Sequence, residues 1–288
     1  MSTGRHRKPY RIKRKKPILK SQFLWFAIFI FIIISLFVYF LFFSDFFQIK
    51  NIIIGGNQKV SREKILSIIR EEVARKNIFF PANNILIADL NEVENNILEN
   101  FSQIAAVEIN RELPETLRLT ITDRKGVVNF CIDYELDKGE ALSIYQECFL
   151  MDKNGIIFEK SLADNVQFPN LKSFDLGGRP VLGQKIMEAD LLSKVLEICL
   201  GLENLKIPIK EILIVSNERI NVTVPNGWDM YFNSKKDLIW QLTKLEAVLE
   251  KYIPLSKRKD LEYIELRFGN LAPFKYIEEE EKTIKLQD

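Results

Sequence analysis

The sequence predicts an α+β protein hung from one membrane-spanning helix. Three observations carry that expectation: an uncharged apolar stretch at 21–43, two helix-spaced apolar stripes set between one strand and a strand pair, and a longer tract that mixes strand-like runs with two further helical stripes.

The apolar stretch comes first. Residues 21–43 carry no charge and include Phe23, Trp25, Phe26 and an unbroken run from Ile28 to Ile34. As a helix they reach roughly 34 Å, enough to cross a hydrocarbon core of about 30 Å. The first twenty residues hold nine of the chain's 41 basic side chains, Arg5, Arg7, Lys8, Arg11, Lys13, Arg14, Lys15, Lys16 and Lys20, and no acid. Such a tail stays in the cytoplasm, so the remainder is expected outside. All 39 acids lie beyond the span, which leaves the exported part with seven more acids than bases. A signal peptide shares the basic start and the apolar run. Its apolar core is shorter, about 7–15 residues, and ends in small residues, whereas here Ser44, Asp45, Phe46 and Phe47 follow. The expectation is an uncleaved anchor. Basic residues confined to a polar tail beside a membrane argue against nucleic-acid binding.

Beyond the span, residues 46–54 are apolar and β-branched, and Gly55, Gly56 and Asn57 supply a turn. Ser61 caps a helix bearing Ile65, Ile68, Ile69 and Val73. The segment 77–84, with Pro81, ends it. Asp89 and Glu92 form a capping box ahead of Leu90, Val93, Ile97 and Phe101. Strands at 104–113 and 116–123 flank Pro114. In the second, Leu117, Leu119 and Ile121 alternate with Arg118, Thr120 and Thr122, the pattern of a sheet with one buried face.

From Gly126 onward, strands are expected at 127–132, 141–151 and 156–159, with Asp152, Lys153, Asn154 and Gly155 as a hairpin turn. A strand at 166–174 and a loop through Gly177, Gly178, Arg179 and Pro180 lead to a helix over 184–205. Strands follow at 212–215, 219–224 and 229–232. A helix opened by Ser234 and Asp237 carries Leu238, Leu242, Leu245 and Leu249, and strands at 261–268 and 271–277 close the unit.

Catalytic chemistry finds little support. Ser61 and Lys64 match S-x-x-K, the nucleophile pattern of penicillin-recognising enzymes, but the companion S-D-N and K-T-G motifs are missing, and Ser256 and Lys259 match equally well. Ser61 reads as a helix cap. His6, the sole histidine, lies in the tail, so the exported part has no histidine for a catalytic triad or a metal. No cofactor and no small-molecule substrate are expected. Cys131, Cys148 and Cys199 lack metal spacing. They read as three small buried hydrophobes, with a Cys131–Cys148 hairpin pair left open.

These residues resemble a known family. Phe47 through Asn57 (FQIKNIIIGGN), Val60-Ser61, Asn77-Ile78-Phe79, and Val107 through Leu117 (VEINRELPETL) running into Thr122-Asp123-Arg124 are similar to the POTRA domain of the FtsQ/DivIB bacterial division proteins. Tyr263-Ile264-Glu265-Leu266-Arg267 is similar to that family's YIDLR, with Glu265 in place of Asp. The resemblance implies a cytoplasmic tail (1–20), a transmembrane helix (21–43), a POTRA domain of order β-α-α-β-β (46–124), an FtsQ-type mixed β domain with packed helices (126–277) and an acidic tail (278–288). It also implies a non-enzymatic scaffold at the division septum, embedded in the cytoplasmic membrane, with FtsB-like and FtsL-like single-span proteins and septal wall synthases as partners. A strand of the FtsB-like partner is expected on the C-terminal sheet edge, at Arg267, Phe268, Asn270, Leu271, Ala272, Phe274, Lys275 and Tyr276. Two matters stay open there. Phe268 and Phe274 read equally as core residues, and Pro273, which has no N–H, must turn its nitrogen from the partner or mark a bulge. A POTRA-type chaperone that handles exported or outer-membrane polypeptides by strand addition is the alternative.

Overall fold

The computed structural model describes residues 22–56, 58–74, 83–137, 142–163, 167–173 and 179–277, with backbone alone for 134–137 and 142–145. The expectations for both tails, for Asn57, 77–79 and Pro81, and for Gly177 and Gly178 lie outside these residues.

Helix α1 (Gln22–Phe43) buries none of its side chains against the chain, and among the described residues it is the one helix long and apolar enough to cross a membrane. The strand expected from residue 46 begins later, because Asp45–Phe47 forms a 3-10 turn whose start Ser44 caps by accepting from the Phe46 N–H at 3.2 Å. Phe46 and Phe47 instead pack against Phe40, with ring centroids 6.4 and 6.0 Å from it. The end of α1 has a partner as well. The fully buried Asn84 amide donates to the carbonyls of Leu41 at 2.9 Å and Phe42 at 3.1 Å, satisfying groups that every helix C-terminus leaves open.

Next come β1 (Asn51–Gly55), α2 (Arg62–Ala74), α3 (Leu90–Asn100), β2 (Ile104–Glu112) and β3 (Thr116–Asp123), the expected strand-helix-helix-strand-strand order. The strands form a sheet of order β1-β3-β2. Ile65 and Ile69 of α2, Val93 and Ile97 of α3, and Leu117, Leu119 and Ile121 of β3 are buried, so helical and strand periods both deliver their apolar faces to a core. The Leu113–Pro114 peptide is cis.

The remaining elements are β4 (Gly126–Asp137), β5 (Leu142–Asp152), β6 (Ile157–Ser161), β7 (Asn170–Ser173), α4 (Ala189–Asn204), β8 (Glu211–Ser216), β9 (Arg219–Thr223), β10 (Asp229–Asn233), α5 (Leu238–Lys251), β11 (Leu261–Glu265) and β12 (Phe274–Tyr276). They build a nine-stranded mixed sheet, β12-β11-β10-β9-β8-β7-β4-β5-β6. Pairs β4/β7, β7/β8 and β10/β11 are parallel. Its core takes Leu192, Val195, Ile198 and Leu202 from α4, Leu245 and Leu249 from α5, and Phe130, Ile212, Val222, Met230 and Phe232 from the strands. Side chains of this size contribute roughly 1.5–3 kcal/mol each when fully buried. The two helices meet closely at Gly201, where an added Cβ would lie 2.2 Å from Leu242 Cδ1.

Compact packing groups Met1–Ile53, Leu66–Val93 and Ile109–Leu119 in one unit, and Ile54–Ile65, Glu94–Glu108 and Thr120–Asp288 in a second. The whole nine-stranded sheet falls in the second.

Two further expectations are corrected here. Helix α4 begins at Ala189, not 184, because the backbone of 184–186 is committed to β6 and its turn: Gln184 C=O accepts from Ile157 N–H at 3.1 Å and Ile186 N–H donates to Gly155 C=O at 2.8 Å. The cysteines are not three free thiols. Cys131 and Cys148 stand directly opposite each other in the β4–β5 ladder and form a disulfide, Cα atoms 4.1 Å apart. Cys199 is free, and burial pushes its thiol up to about 12.

Candidate partner-binding edge

The expected site lies at the end of the nine-stranded sheet. Strand β11 runs parallel to β10, and β12 lies antiparallel on β11 with Tyr276 opposite Leu261, Lys275 opposite Tyr263 and Phe274 opposite Ile264. The extra residue in that register belongs to β11, so alternation along β12 is unbroken.

That alternation settles the direction of Pro273. Its carbonyl accepts from Glu265 N–H at 2.8 Å, and Ile277 N–H donates to Asp260 C=O at 2.8 Å. In an antiparallel strand the N–H and C=O of one residue face the same side, and neighbours face opposite sides. Residues 273, 275 and 277 therefore face β11, while Phe274 and Tyr276 turn their main-chain groups to the side where no described strand lies. The missing N–H of Pro273 costs the open edge nothing.

The expected residues separate into three groups. Ala272, Phe274 and Tyr276 pack partly buried against the core, the last two with their rings edge to face at 5.7 Å. Lys275 projects to the opposite face and pairs with Glu262 at 2.7 Å. Arg267, Phe268, Asn270 and Leu271 lie in the loop between β11 and β12, with Phe268 and Leu271 exposed. Phe274 is thus core-facing and Phe268 is not. Arg267 clasps Glu265, donating from Nε at 2.8 Å and from its own backbone N–H at 3.1 Å. Burial alone would raise the Glu265 carboxyl, but the Arg267 hydrogen bonds and charge outweigh it and hold it below its ordinary value.

Helix α5 and the turn before it supply three residues that sequence reasoning missed, Lys236, Trp240 and Lys244. Asp237 caps the start of α5, accepting from Trp240 N–H at 3.0 Å. Lys244, a buried side chain, donates from Nζ to the carbonyls of Leu266 at 2.7 Å, Phe268 at 3.0 Å and Leu271 at 3.1 Å. Trp240 Nε1 reaches Gly269 C=O at 3.2 Å, and Lys236 Nζ reaches Arg267 C=O at 3.0 Å. Burial, then the charge of Lys236, pulls the Lys244 ammonium below its ordinary value, with Glu265 opposing. No sequence signal marks these side chains, because their acceptors are main-chain carbonyls of a distant loop. These bonds also explain why β11 stops at Glu265 and β12 starts only at Phe274, rather than filling 261–268 and 271–277: the intervening carbonyls turn to α5. Between α5 and residues 270–274 lies a groove of about 500 Å³, lined by Trp240, Val248, Tyr252, Leu271 and Phe274 among others.

The helix cap expected at Ser61 directly precedes α2, and Ile65 N–H donates to its carbonyl at 3.4 Å.

Comparison with known proteins finds a domain family for part of this architecture and distant relatives for more of it. Residues 47–124 match the model of the POTRA domain, FtsQ-type. The chain is 27% identical over 144 residues to cell division protein DivIB of Clostridium tetani, covering 50% of this chain and 46% of that one. It is 22% identical over 226 residues to cell division protein FtsQ of Neisseria gonorrhoeae, covering 78% of each. It is 28% identical over 125 residues to FtsQ of Rickettsia bellii, covering 43% of this chain and 38% of that one. Two of these three matches thus span less than half of the relative's length. Residues 47–124 are an FtsQ-type POTRA domain, and the chain that carries it is a distant homologue, over most of its length, of the division proteins named FtsQ and DivIB.

Proposed function

We propose that this chain is a non-enzymatic, single-pass scaffold of the bacterial division machinery, N-terminus in the cytoplasm, with its POTRA domain (46–124) and mixed β domain (126–277) outside the cytoplasmic membrane. It binds FtsB-like and FtsL-like single-span proteins there and helps control septal wall synthesis. The observation that carries this reading is the β12 edge. Phe274 and Tyr276 offer outward main-chain groups, so an incoming strand gains main-chain hydrogen bonds from them while apolar side chains enter the groove beside α5. The relatives' names support the division setting, and the apolar α1 behind a basic tail supports the topology.

The test uses the full chain in detergent and the FtsB-like protein of the same organism. Tyr276→Pro removes one outward N–H and no inward one, and Tyr276→Ala loses the same part-buried ring but keeps the N–H, so Tyr276→Pro is expected to bind at least tenfold more weakly than Tyr276→Ala. Equal binding by the two variants moves the site off this edge. If the wild-type chain ignores the FtsB-like protein and retains unfolded β-rich polypeptides instead, the chaperone reading replaces this one.

A further inference from the structure

We propose that Lys244 is the positioning residue of the open edge: its buried ammonium, by collecting three carbonyls of the β11–β12 loop, fixes which main-chain groups β12 presents to a partner. The inference rests on the edge reading above and adds to it a residue that lies outside the edge strand itself.

An ammonium has three donors and no acceptor, and placing it in a protein interior is costly unless all three are used. At Lys244 they are used, and all three acceptors are main-chain oxygens, those of Leu266, Phe268 and Leu271. Core packing alone does not call for this arrangement, since Leu245 and Leu249 of the same helix fill the core with apolar side chains. What the ammonium provides is a fixed path for an irregular loop. Without it, carbonyls 266, 268 and 271 in this part-buried region would lose their shared donor.

The path matters because of where it ends. Leu271 is two residues before Pro273, whose carbonyl must reach Glu265 N–H for β12 to dock. Pinning the Leu271 carbonyl sets the residue that arrives at that position. A slip of one residue would turn Lys275 outward at the edge and lift Phe274 and Tyr276 from the core face. Trp240 and Lys236 hold Gly269 and Arg267, the intermediate carbonyls, so the loop is tied at five of its residues from one side.

The experiment is hydrogen exchange on the full chain in detergent, followed amide by amide, with binding of the FtsB-like protein measured in parallel. In Lys244→Met, which keeps the length and removes the donors, the amides of Glu265, Leu271 and Ile277 are expected to exchange at least tenfold faster, while α4 and the β4–β5 ladder keep their wild-type rates. Binding of the FtsB-like protein is expected to weaken at least tenfold. Trp240→Phe, which keeps a ring and loses only the bond to Gly269, is expected to speed exchange at Leu271 by a few-fold. Unchanged exchange at those three amides overturns the proposal. So does a uniform rise across the whole sheet, which would make Lys244 an ordinary support of the core. Should Lys244→Met fail to fold, Lys244→Gln, which keeps two donors but not three, decides by the same three amides. If the wild-type chain does not bind the FtsB-like protein, the edge reading fails, and the exchange pattern still decides whether Lys244 positions the strand.

Discussion

The nine-stranded sheet ends in β6 on one side and β12 on the other, and the two ends are finished differently. At β6 the outward groups of Ile157 are taken, its N–H by Gln184 C=O and its C=O by Gly183 N–H, and Phe158 C=O accepts from Ser102 Oγ. Lys59 lies 4.6 Å from the centre of the Phe158 ring and pairs with Glu159 at 2.6 Å. At β12 no such cover exists among the described residues. An uncovered edge invites pairing with other chains, and proteins blunt the edges they do not use. One end of the sheet is blunted, and the other is left open among the described residues, which is the contrast that the proposed strand addition at β12 rests on.

The largest effect should come from uncovering β6. Gly155 has φ +79°, and a Cβ there would stand 2.0 Å from Met187 C=O, in the segment whose Ile186 N–H binds the Gly155 carbonyl. Backbone strain and the clash both oppose a side chain, so Gly155→Ala is expected to cost about 3 kcal/mol, read by chemical denaturation. The same variant should self-associate, because it frees Ile157. Loss of stability without association would mean that β6 needs no cover and would weaken the comparison.

A second effect sets the ends against each other through two buried carboxylates. Glu147 of β5 is held by Lys160 of β6 and by Arg179, and Glu265 of β11 by Arg267. Both carboxyls are held below their ordinary value of 4.5. At Glu147 the Lys160 hydrogen bond leads, opposed by burial. At Glu265 burial is the largest influence, and the Arg267 bonds and charge together override it. A depressed carboxyl contributes stability that is complete above the unfolded-state value and is lost as pH falls through the folded one. Glu265→Gln is therefore expected to cost about 1–2 kcal/mol at pH 7, and less as pH drops below 4.5. Glu147→Gln should follow the same pH course, and it should loosen β6 amides where Glu265→Gln loosens those around β12.

What could be read from the chain beforehand follows from the range of the forces involved. The α1 span, the stripes of α2 and α3 and the alternation in β3 are local periodicities, and they were legible. Segments whose backbone is used by distant partners were not. Residues 46–50 look like strand until Asn83, Asn84 and the rings of α1 are placed beside them. Residues 184–188 look helical until Ile157 N–H takes the Gln184 carbonyl and Gly155 C=O takes the Ile186 N–H. The Cys131–Cys148 bond depends on the β4–β5 register, which cysteine spacing alone left as one of two options. Of the candidate edge, the strand and the Pro273 problem were legible, since both are residue properties. Lys244 was not, because its acceptors are main-chain carbonyls that carry no mark in a sequence.

The smallest effect separates the rim of the edge from its face. Lys275 and Glu262 pair at 2.7 Å with about half of each side chain in water, and an exposed pair of this kind contributes roughly 0.2–1 kcal/mol. Lys275→Ala should therefore shift stability by less than about 0.5 kcal/mol. Its side chain stands on the face opposite Phe274 and Tyr276, and its main-chain groups turn inward to β11, so a partner that binds by strand addition does not depend on it. Binding of the FtsB-like protein is expected to change by less than about twofold, a change of under half a kcal/mol. A larger loss, with the fold intact, would place the partner over the outer face of the sheet, where Tyr231 and Tyr263 stack at 5.3 Å and Arg219 lies 4.7 Å from the Tyr231 ring centre. In that case side-chain contacts on the face, more than main-chain pairing at β12, would carry the recognition.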